Sequence, residues 1–344
     1  MSVDQAAPTV VTVRARVRRR RLIAVSGVTA LLVVVTVVGL SVGDYPLSPA
    51  QLWQTLWGGG GRVESYVLFQ VRAPRVVMGV LVGACLGTAG ALLQTLLRNP
   101  LASPDLLGIS GGASVGALFV LLGLGLTGPV LALAAFVGGM LVAVLLLAAG
   151  RRVSDGGFRL ILAGIGVAFL CVAITNFLMV RAQLELAQAA LVWITGSLSA
   201  STWGQVLVVL AVAVAVSPLV ALAARWLPIT QLGSATSSGL GVNPATVRWV
   251  AVGSAVLLTA VTCAFAGPIA FVALCAPPIA RSLLGNGALG IGASAVTGAA
   301  LLVAADLAAQ FALPGISLPV GVVTGAIGAV FLLWLLASTK GRQL

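Results

Sequence analysis

Apolar runs long enough to cross a bilayer recur along nearly the whole chain, and its few charges sit between them. In lipid every backbone N–H and C=O must be paired inside the protein, so such runs commit the chain to membrane-spanning helices. A spanning helix takes roughly 20 apolar residues. Ten stretches qualify, at 22–42, 73–97, 108–125, 128–149, 159–180, 204–226, 249–266, 268–284, 288–312 and 318–337. Gly267-Pro268 is the weakest division, because proline there either kinks one long helix or separates two. With 60% hydrophobic and 8% charged residues, the chain has too little polar surface to cover a soluble globule, which carries about 25% charged residues. The expectation is an all-α polytopic membrane protein. Residues 1–21 form a basic tail and residues 22–344 a single transmembrane domain. The first apolar run exceeds a typical signal-peptide core and no small-residue cleavage pattern follows it, so it reads as the first membrane helix.

The net charge of +12 would suggest nucleic acid in a soluble protein. Here topology accounts for it, and no nucleic-acid partner is expected. If ten spans alternate, Arg14, Arg16, Arg18, Arg19, Arg20 and Arg21 share one side with Arg98, Arg151, Arg152, Arg159, Arg225, Arg248, Arg281, Lys340 and Arg342. Only Arg62, Arg72, Arg75 and Arg181 fall on the other. The positive-inside rule then places both termini in the cytoplasm of a cell-membrane protein.

Several chemistries are excluded. The chain has no histidine, which removes His-ligated haem, His zinc sites and His-based catalysis. Cys85, Cys171, Cys263 and Cys275 all lie in predicted spans without metal-ligand spacing and read as small buried apolar residues. Lys340 is the only lysine and no Walker A pattern leads into it, so nucleotide phosphates cannot be held by a P-loop here. Of seven acids, only Asp306 falls well inside a predicted span, a poor endowment for a proton-coupled carrier. No cluster of acids, or nucleophile with a base, supports a membrane enzyme.

The segments that stand out are small-residue or polar. Gly79, Gly83 and Gly87 recur at every fourth position, followed by Gly90, and Gly112/Gly116 and Gly321/Gly325 repeat the spacing. Such grooves let helices approach closely. Ser48-Pro49 starts a short interfacial helix with Trp53 and Trp57 on one face. Arg72 and Arg75, fixed by Pro74, stand where the second span begins. They either snorkel at the interface or dock an acidic partner. Residues 227–248 are polar but nearly uncharged, with Ser234, Thr236, Ser237 and Ser238 before Gly239-Leu240-Gly241. A short helix ending at glycine fits there, suited to insertion into a groove on another protein.

Four blocks together resemble the permease family that imports iron–siderophore complexes, haem and vitamin B12, the membrane subunit of type II ABC importers. The first runs from Arg72-Ala-Pro-Arg75 through Leu81-Val-Gly-Ala84 and Gln94 to Arg98-Asn-Pro-Leu-Ala102 and Leu107-Gly108. The second is Leu232-Gly233 with Leu240-Gly-Val-Asn243. The third is Gly267-Pro-Ile-Ala-Phe-Val272 to Pro277-Pro-Ile-Ala-Arg281, and the last Leu318-Pro-Val-Gly-Val-Val-Thr324 with Gly328. The chain departs from the family at Pro278, where histidine is usual, and at Val330, where proline is usual. It departs also at Ser234, where glutamate is common, and at Gln310, where a basic residue is sometimes found.

The resemblance implies ten helices in two five-helix halves, inverted because each half has an odd number. It implies a second permease subunit, identical or paralogous, two ATPase subunits and an extracytoplasmic binding protein. ATP and magnesium would be bound by the ATPase and no cofactor by this chain. Arg72 and Arg75 would engage carboxylates of the binding protein. The 228–243 segment would be the ATPase-coupling loop, with Leu232, Gly233, Ser234, Ala235, Thr236, Ser237, Leu240, Gly241, Val242 and Asn243 at its centre. Residues 153–158, with Gly156, Gly157 and Phe158, would form an inner gate. The 159–180 helix would line the pathway, and Asn176, its one amide, is the candidate lining residue, with an interhelical hydrogen bond as its alternative. Ferric siderophores are the favoured cargo, with cobalamin or haem as alternatives. A secondary transporter without an ATPase is the remaining, poorly supported class.

Overall fold

A computed structural model describes residues 10–105, 107–150, 156–285, 289–313 and 317–339. They fold into helices and their connections. The first elements are α1 (Val10–Ser41), α2 (Pro49–Leu56) and α3 (Arg62–Tyr66), the last passing through a π-helical turn, Val67–Arg72, into α4 (Ala73–Leu97). Next come α5 (Ile109–Leu124), α6 (Pro129–Gly150), α7 (Gly156–Val180) and α8 (Leu184–Thr195). The rest are α9 (Trp203–Thr230), α10 (Ser234–Gly239), α11 (Pro244–Ala266), α12 (Val272–Leu284), α13 (Ile291–Phe311) and α14 (Val320–Thr339).

Each of the ten predicted spans coincides with a helix, but not all are bilayer length. Seven helices among the described residues are long and apolar enough to cross a membrane, whereas α5, α12, α14 and α8 are shorter. The 12-residue α8 was not expected, being too short to read as a span. Two boundaries also need correction. Helix α1 begins at Val10, so Arg14–Arg21 extend a helix rather than forming a separate tail. Helix α12 begins at Val272, not at 268. Gly267 there takes φ +70°, a conformation glycine adopts without penalty, and the chain runs non-helically to Phe271, so Gly267-Pro268 is a true break. The short α2 matches expectation. The Ser48 hydroxyl accepts from Gln51 N–H and the Gln51 side chain accepts from Ser48 N–H, a reciprocal cap. Trp53 and Trp57 stack 5.6 Å apart on its exposed side.

The core is a column along α4 and α11. Ala91 and Leu92 pack with Val247 and Ala251 at one end, Cys85 and Ala89 with Val252 and Ala255 in the middle, and Met78 and Val82 with Val261 and Ala266 at the other. The two helices are therefore antiparallel. Helix α4 also packs on α12 and α13, while α11 packs on α5 and α6. The glycine grooves serve these contacts. A Cβ on Gly83 or Gly87 would strike the carbonyls of Gly298 or Ser294 in α13, and one on Gly112 or Gly116 would strike those of Gly138 or Ala134 in α6. Close backbone approach of this kind drives helix association in lipid, where burial of apolar surface gives no advantage.

Arg20, Arg98 and Arg281 lie at one end of the bundle. Arg20 donates to the carbonyls of Ser282 and Leu283 at the end of α12, and Arg98 to those of Thr230 and Gln231 at the end of α9. Arg75 and Asp306 lie at the opposite end.

Candidate functional site

The 231–243 segment is built to present a short helix outward. Gly233, at φ +103°, turns the chain into α10, and Gly241, at φ +77°, turns it back. Ser237 faces inward, with its hydroxyl donating to the Gly233 carbonyl at 2.8 Å. Val242 seats in the core beside Leu227, Val247 and Ala251. Asn243 Oδ1 accepts from Ala245 N–H at 2.9 Å and caps α11. Ser234, Ala235, Thr236 and Ser238 are exposed. Leu232 and Leu240 flank them with 63% and 60% of their surface open. Two apolar tips on an uncharged, well-anchored helix form a surface for a groove on a partner.

Arg72 and Arg75 are both engaged within the chain. The buried Arg72 donates to the carbonyls of Leu40 and Ser41, each at 3.0 Å, and of Tyr45 at 2.6 Å. It thereby satisfies the open C-terminal end of α1. Arg75 forms a two-pronged pair with Asp306, Nε to Oδ2 at 2.9 Å and the second nitrogen to Oδ1 at 2.8 Å. Gln310 Nε2 donates to the same Oδ2 at 2.8 Å. The lone intramembrane acid of the sequence therefore welds α13 to α4. The two residues are 231 positions apart, so no periodicity could pair them. The usable signal was that an acid in a span demands a cation.

Gly156, Gly157 and Phe158 form the first turn of α7 rather than a loop; residues 151–155, the rest of the predicted gate, lie outside the described residues. Asn176 is exposed on α7 beside Phe177, and no side-chain hydrogen bond joins it to another of the described residues. The interhelical bond considered for it is not formed here, and its amide faces outward from the subunit.

Two features escaped the sequence reading. The first is Gln94. Pro277 and Pro278 both lie inside α12, and proline cannot donate to the carbonyl four residues back. The carbonyls so orphaned are those of Ala273 and Leu274, and the Gln94 amide donates to both, at 3.5 and 3.0 Å. Its Oε1 accepts from Arg281. The second is Asp105, in the connection from α4 to α5. It accepts from the Ser110 hydroxyl and lies against a cavity of about 350 Å³ shared with Leu101, Ser103, Ala270, Phe271 and Leu332. Burial pushes its carboxyl above the usual range, and the Ser110 hydrogen bond only partly offsets this. Among the described residues no group of three or more His, Cys, Asp or Glu side chains converges as a metal site.

A bundle of apolar helices welded at glycine contacts, with interrupted helices and no reactive cluster among the described residues, is that of a multi-pass membrane transport protein. Residues 31–338 match the FecCD transport family, and the chain belongs to it. The ferric enterobactin transport system permease protein of Escherichia coli is 39% identical over 327 residues, covering 95% of this chain and 99% of that protein. An Fe(3+)-citrate import system permease of Bacillus subtilis is 36% identical over 331 residues, covering 95% and 98%. A vitamin B12 import system permease of Vibrio cholerae is 36% identical over 305 residues, covering 88% and 90%. Among solved structures, a metal-chelate type ABC transporter in an inward-facing conformation superposes with a TM-score of 0.81 at 28% identity, covering 91% of this chain and 98% of that one. The chain is a transport subunit of ABC-importer type rather than an enzyme.

Proposed function

We propose that the chain is the permease of an ATP-driven importer of ferric siderophores. Cargo arrives on an extracytoplasmic binding protein, passes between two permease subunits and leaves into the cytoplasm. Two ATPase subunits, which bind ATP and magnesium, drive the cycle through the 231–243 segments. The observation that carries the cargo class is the 39% identity over 327 residues to the ferric enterobactin permease. The 36% identity over 305 residues to a vitamin B12 permease supports cobalamin as the second reading.

The remaining assignments come from the family resemblance, and features of the fold support them. Ten crossings in two inverted halves agree with the antiparallel α4 and α11, which pack on α12 and α13 and on α5 and α6 respectively. Both termini in the cytoplasm agrees with the gathering of Arg20, Arg98 and Arg281 at one end. The outward apolar face of α7, with Phe169 71% exposed and Val180 86% exposed, suits a second permease subunit, and Asn176 on that helix would then line the pathway. Gly156, Gly157 and Phe158 at the start of α7 suit an inner gate. Docking of the binding protein falls to the opposite rim at Arg72 and Arg75, where an acidic partner would compete with Asp306 for Arg75.

The test is radio-iron uptake from defined ferric siderophores in cells lacking only this gene. Loss of uptake for one siderophore class should be restored by the intact gene. It should not be restored by a variant lacking residues 232–243 that still inserts in the membrane. Unchanged iron uptake with lost cobalamin uptake would move the cargo to cobalamin.

A further inference from the structure

We infer that a cavity at the end of α4, beside the 231–243 segment, is an oxyanion site that receives a carboxylate side chain of the ATPase subunit. The inference rests on the proposed coupling role of that segment. The cavity, of about 560 Å³, opens where the ends of α4, α9 and α12 meet, and Gln94, Arg98, Asn99, Gln231 and Arg281 line it.

Its polar walls are mainly donors, set beside Pro100 and Leu289. Arg281 is half-buried and spends one N–H on Gln94 Oε1. A guanidinium carries five N–H groups in a rigid fork, and the bond to Gln94 is the one Arg281 donates among the described residues. Arg98 directs one nitrogen at the Thr230 and Gln231 carbonyls, at 3.2 and 2.9 Å. Asn99 Oδ1 is occupied by Leu101 N–H, which leaves its amide NH₂ as the free end. Among the described residues no carboxylate lines the cavity. Asp306 is committed to Arg75 and Asp105 to Ser110; Asp4 and Asp155 lie outside the described residues. A half-buried cation held only by a neutral amide is costly unless an anion completes it, and a carboxylate matches the guanidinium fork with two parallel hydrogen bonds.

The position of the cavity selects the source of that anion. Residues 231–243 carry no charge at all, so this segment contributes hydrophobic and steric fit without electrostatic attraction. Gln231, the first residue of the segment, is a wall of the cavity, and Arg98 grips the backbone at the same point. A partner seated on α10 therefore has this donor-rich pocket at its edge. An acidic side chain there would supply the charge complementarity that fixes register and speeds encounter.

The experiment measures binding of the co-expressed, purified ATPase subunit to the full-length permease in lipid nanodiscs over a salt series. Gln231→Glu places a carboxylate in the pocket from an exposed position, where folding is insensitive. It should weaken binding about tenfold and flatten the salt dependence. Arg281→Gln should do the same, and the uncharged Gln231→Met should lose less than Gln231→Glu and keep the wild-type salt slope. Wild-type affinity and salt slope in both Gln231→Glu and Arg281→Gln would overturn the site, as would equal loss in Gln231→Met, which would make the effect steric. If Arg281→Gln fails to fold, Gln231→Glu decides. Unchanged ATPase binding with loss of co-purifying phosphatidylglycerol would assign the pocket to a lipid headgroup and overturn the inference. A folded wild-type permease that binds no ATPase would overturn the functional reading itself.

Discussion

Gln94→Leu is the sharpest test of how the broken helix α12 is held. The substitution keeps side-chain volume and apolar contact but removes the amide. The Leu274 carbonyl then loses a bond of 3.0 Å and the Ala273 carbonyl one at 3.5 Å. Neither can recover its helical partner, because residues 277 and 278 are prolines. An orphaned buried carbonyl costs about 1–3 kcal/mol, while interhelical hydrogen bonds in lipid average about 0.6 kcal/mol with maxima near 1.7. One good and one marginal bond therefore place the loss at about 2 kcal/mol. The Arg281 bond to Gln94 Oε1 is lost as well, so about 2 kcal/mol is a lower bound. Thermal unfolding in detergent should show a fall of roughly 5 °C. A double-mutant cycle isolates the cause. In a Pro278→Ala background residue 278 regains an N–H for the Leu274 carbonyl, so Gln94→Leu should cost about 1 kcal/mol less there. An equal cost in both backgrounds would refute the proline-orphan argument, and no cost in either would refute the bonding scheme.

Asp306→Ala should destabilise by about 2–3 kcal/mol, below the 3–5 of fully buried pairs because Arg75 keeps 20% of its side chain exposed. Arg75→Gln/Asp306→Asn should recover more than half, and a double variant worse than Asp306→Ala would contradict the weld. Gly83→Ala drives a methyl into the Gly298 carbonyl of α13 and should cost about 1–3 kcal/mol. Gly253→Ala, where nothing lies within 4 Å of the new Cβ, should cost nothing, so equal thermal shifts would deny the groove its role. Asp105→Asn should act through pH. The raised carboxyl keeps in the folded state a proton that the unfolded chain releases near pH 4. Wild-type stability is therefore complete below that pH and falls as pH rises through the raised value. Wild type and variant should unfold alike near pH 4, with the variant more stable at pH 7, and a wild type that gains on the variant with rising pH would reverse the sign.

How much of this was legible in the sequence depended on whether the signal was local. Apolar run length located every long helix, because lipid burial imposes it on consecutive residues. The Ser48–Gln51 cap and the glycine-bounded α10 were readable for the same reason, as each spans only a few positions. Helix α8 was not, since 12 residues lie below the span threshold. The pairing of Arg75 with Asp306 and of Gln94 with the carbonyls of α12 are contacts across 231 and about 180 positions, set by which helices end up adjacent. The sequence announced each need, an acid in a span and two prolines in a helix, without naming what would meet it. Arg72 and Arg75 follow the same rule. The sequence left snorkelling and docking open for both cations, and the intrachain partners that the fold gives them lie on distant helices.

The end of α4 draws these observations together. Within Gln94–Arg98, a little over one helical turn, Gln94 braces the broken helix α12 and Arg98 holds the backbone at the start of the 231–243 segment. The two contacts sit on one rigid helix whose other face is locked to α13 at Gly83 and Gly87. A partner that shifts the 231–243 segment must either break the Arg98 bonds or carry the end of α4 with it. Carrying α4 moves the brace on α12, whose Leu274 carbonyl cannot turn to residue 278, a proline, for its usual helical bond. The proline pair thus makes α12 depend on α4 for its integrity. A mobile contact and an interrupted helix share one support, the arrangement needed if force applied at the surface is to reach the interior of the bundle.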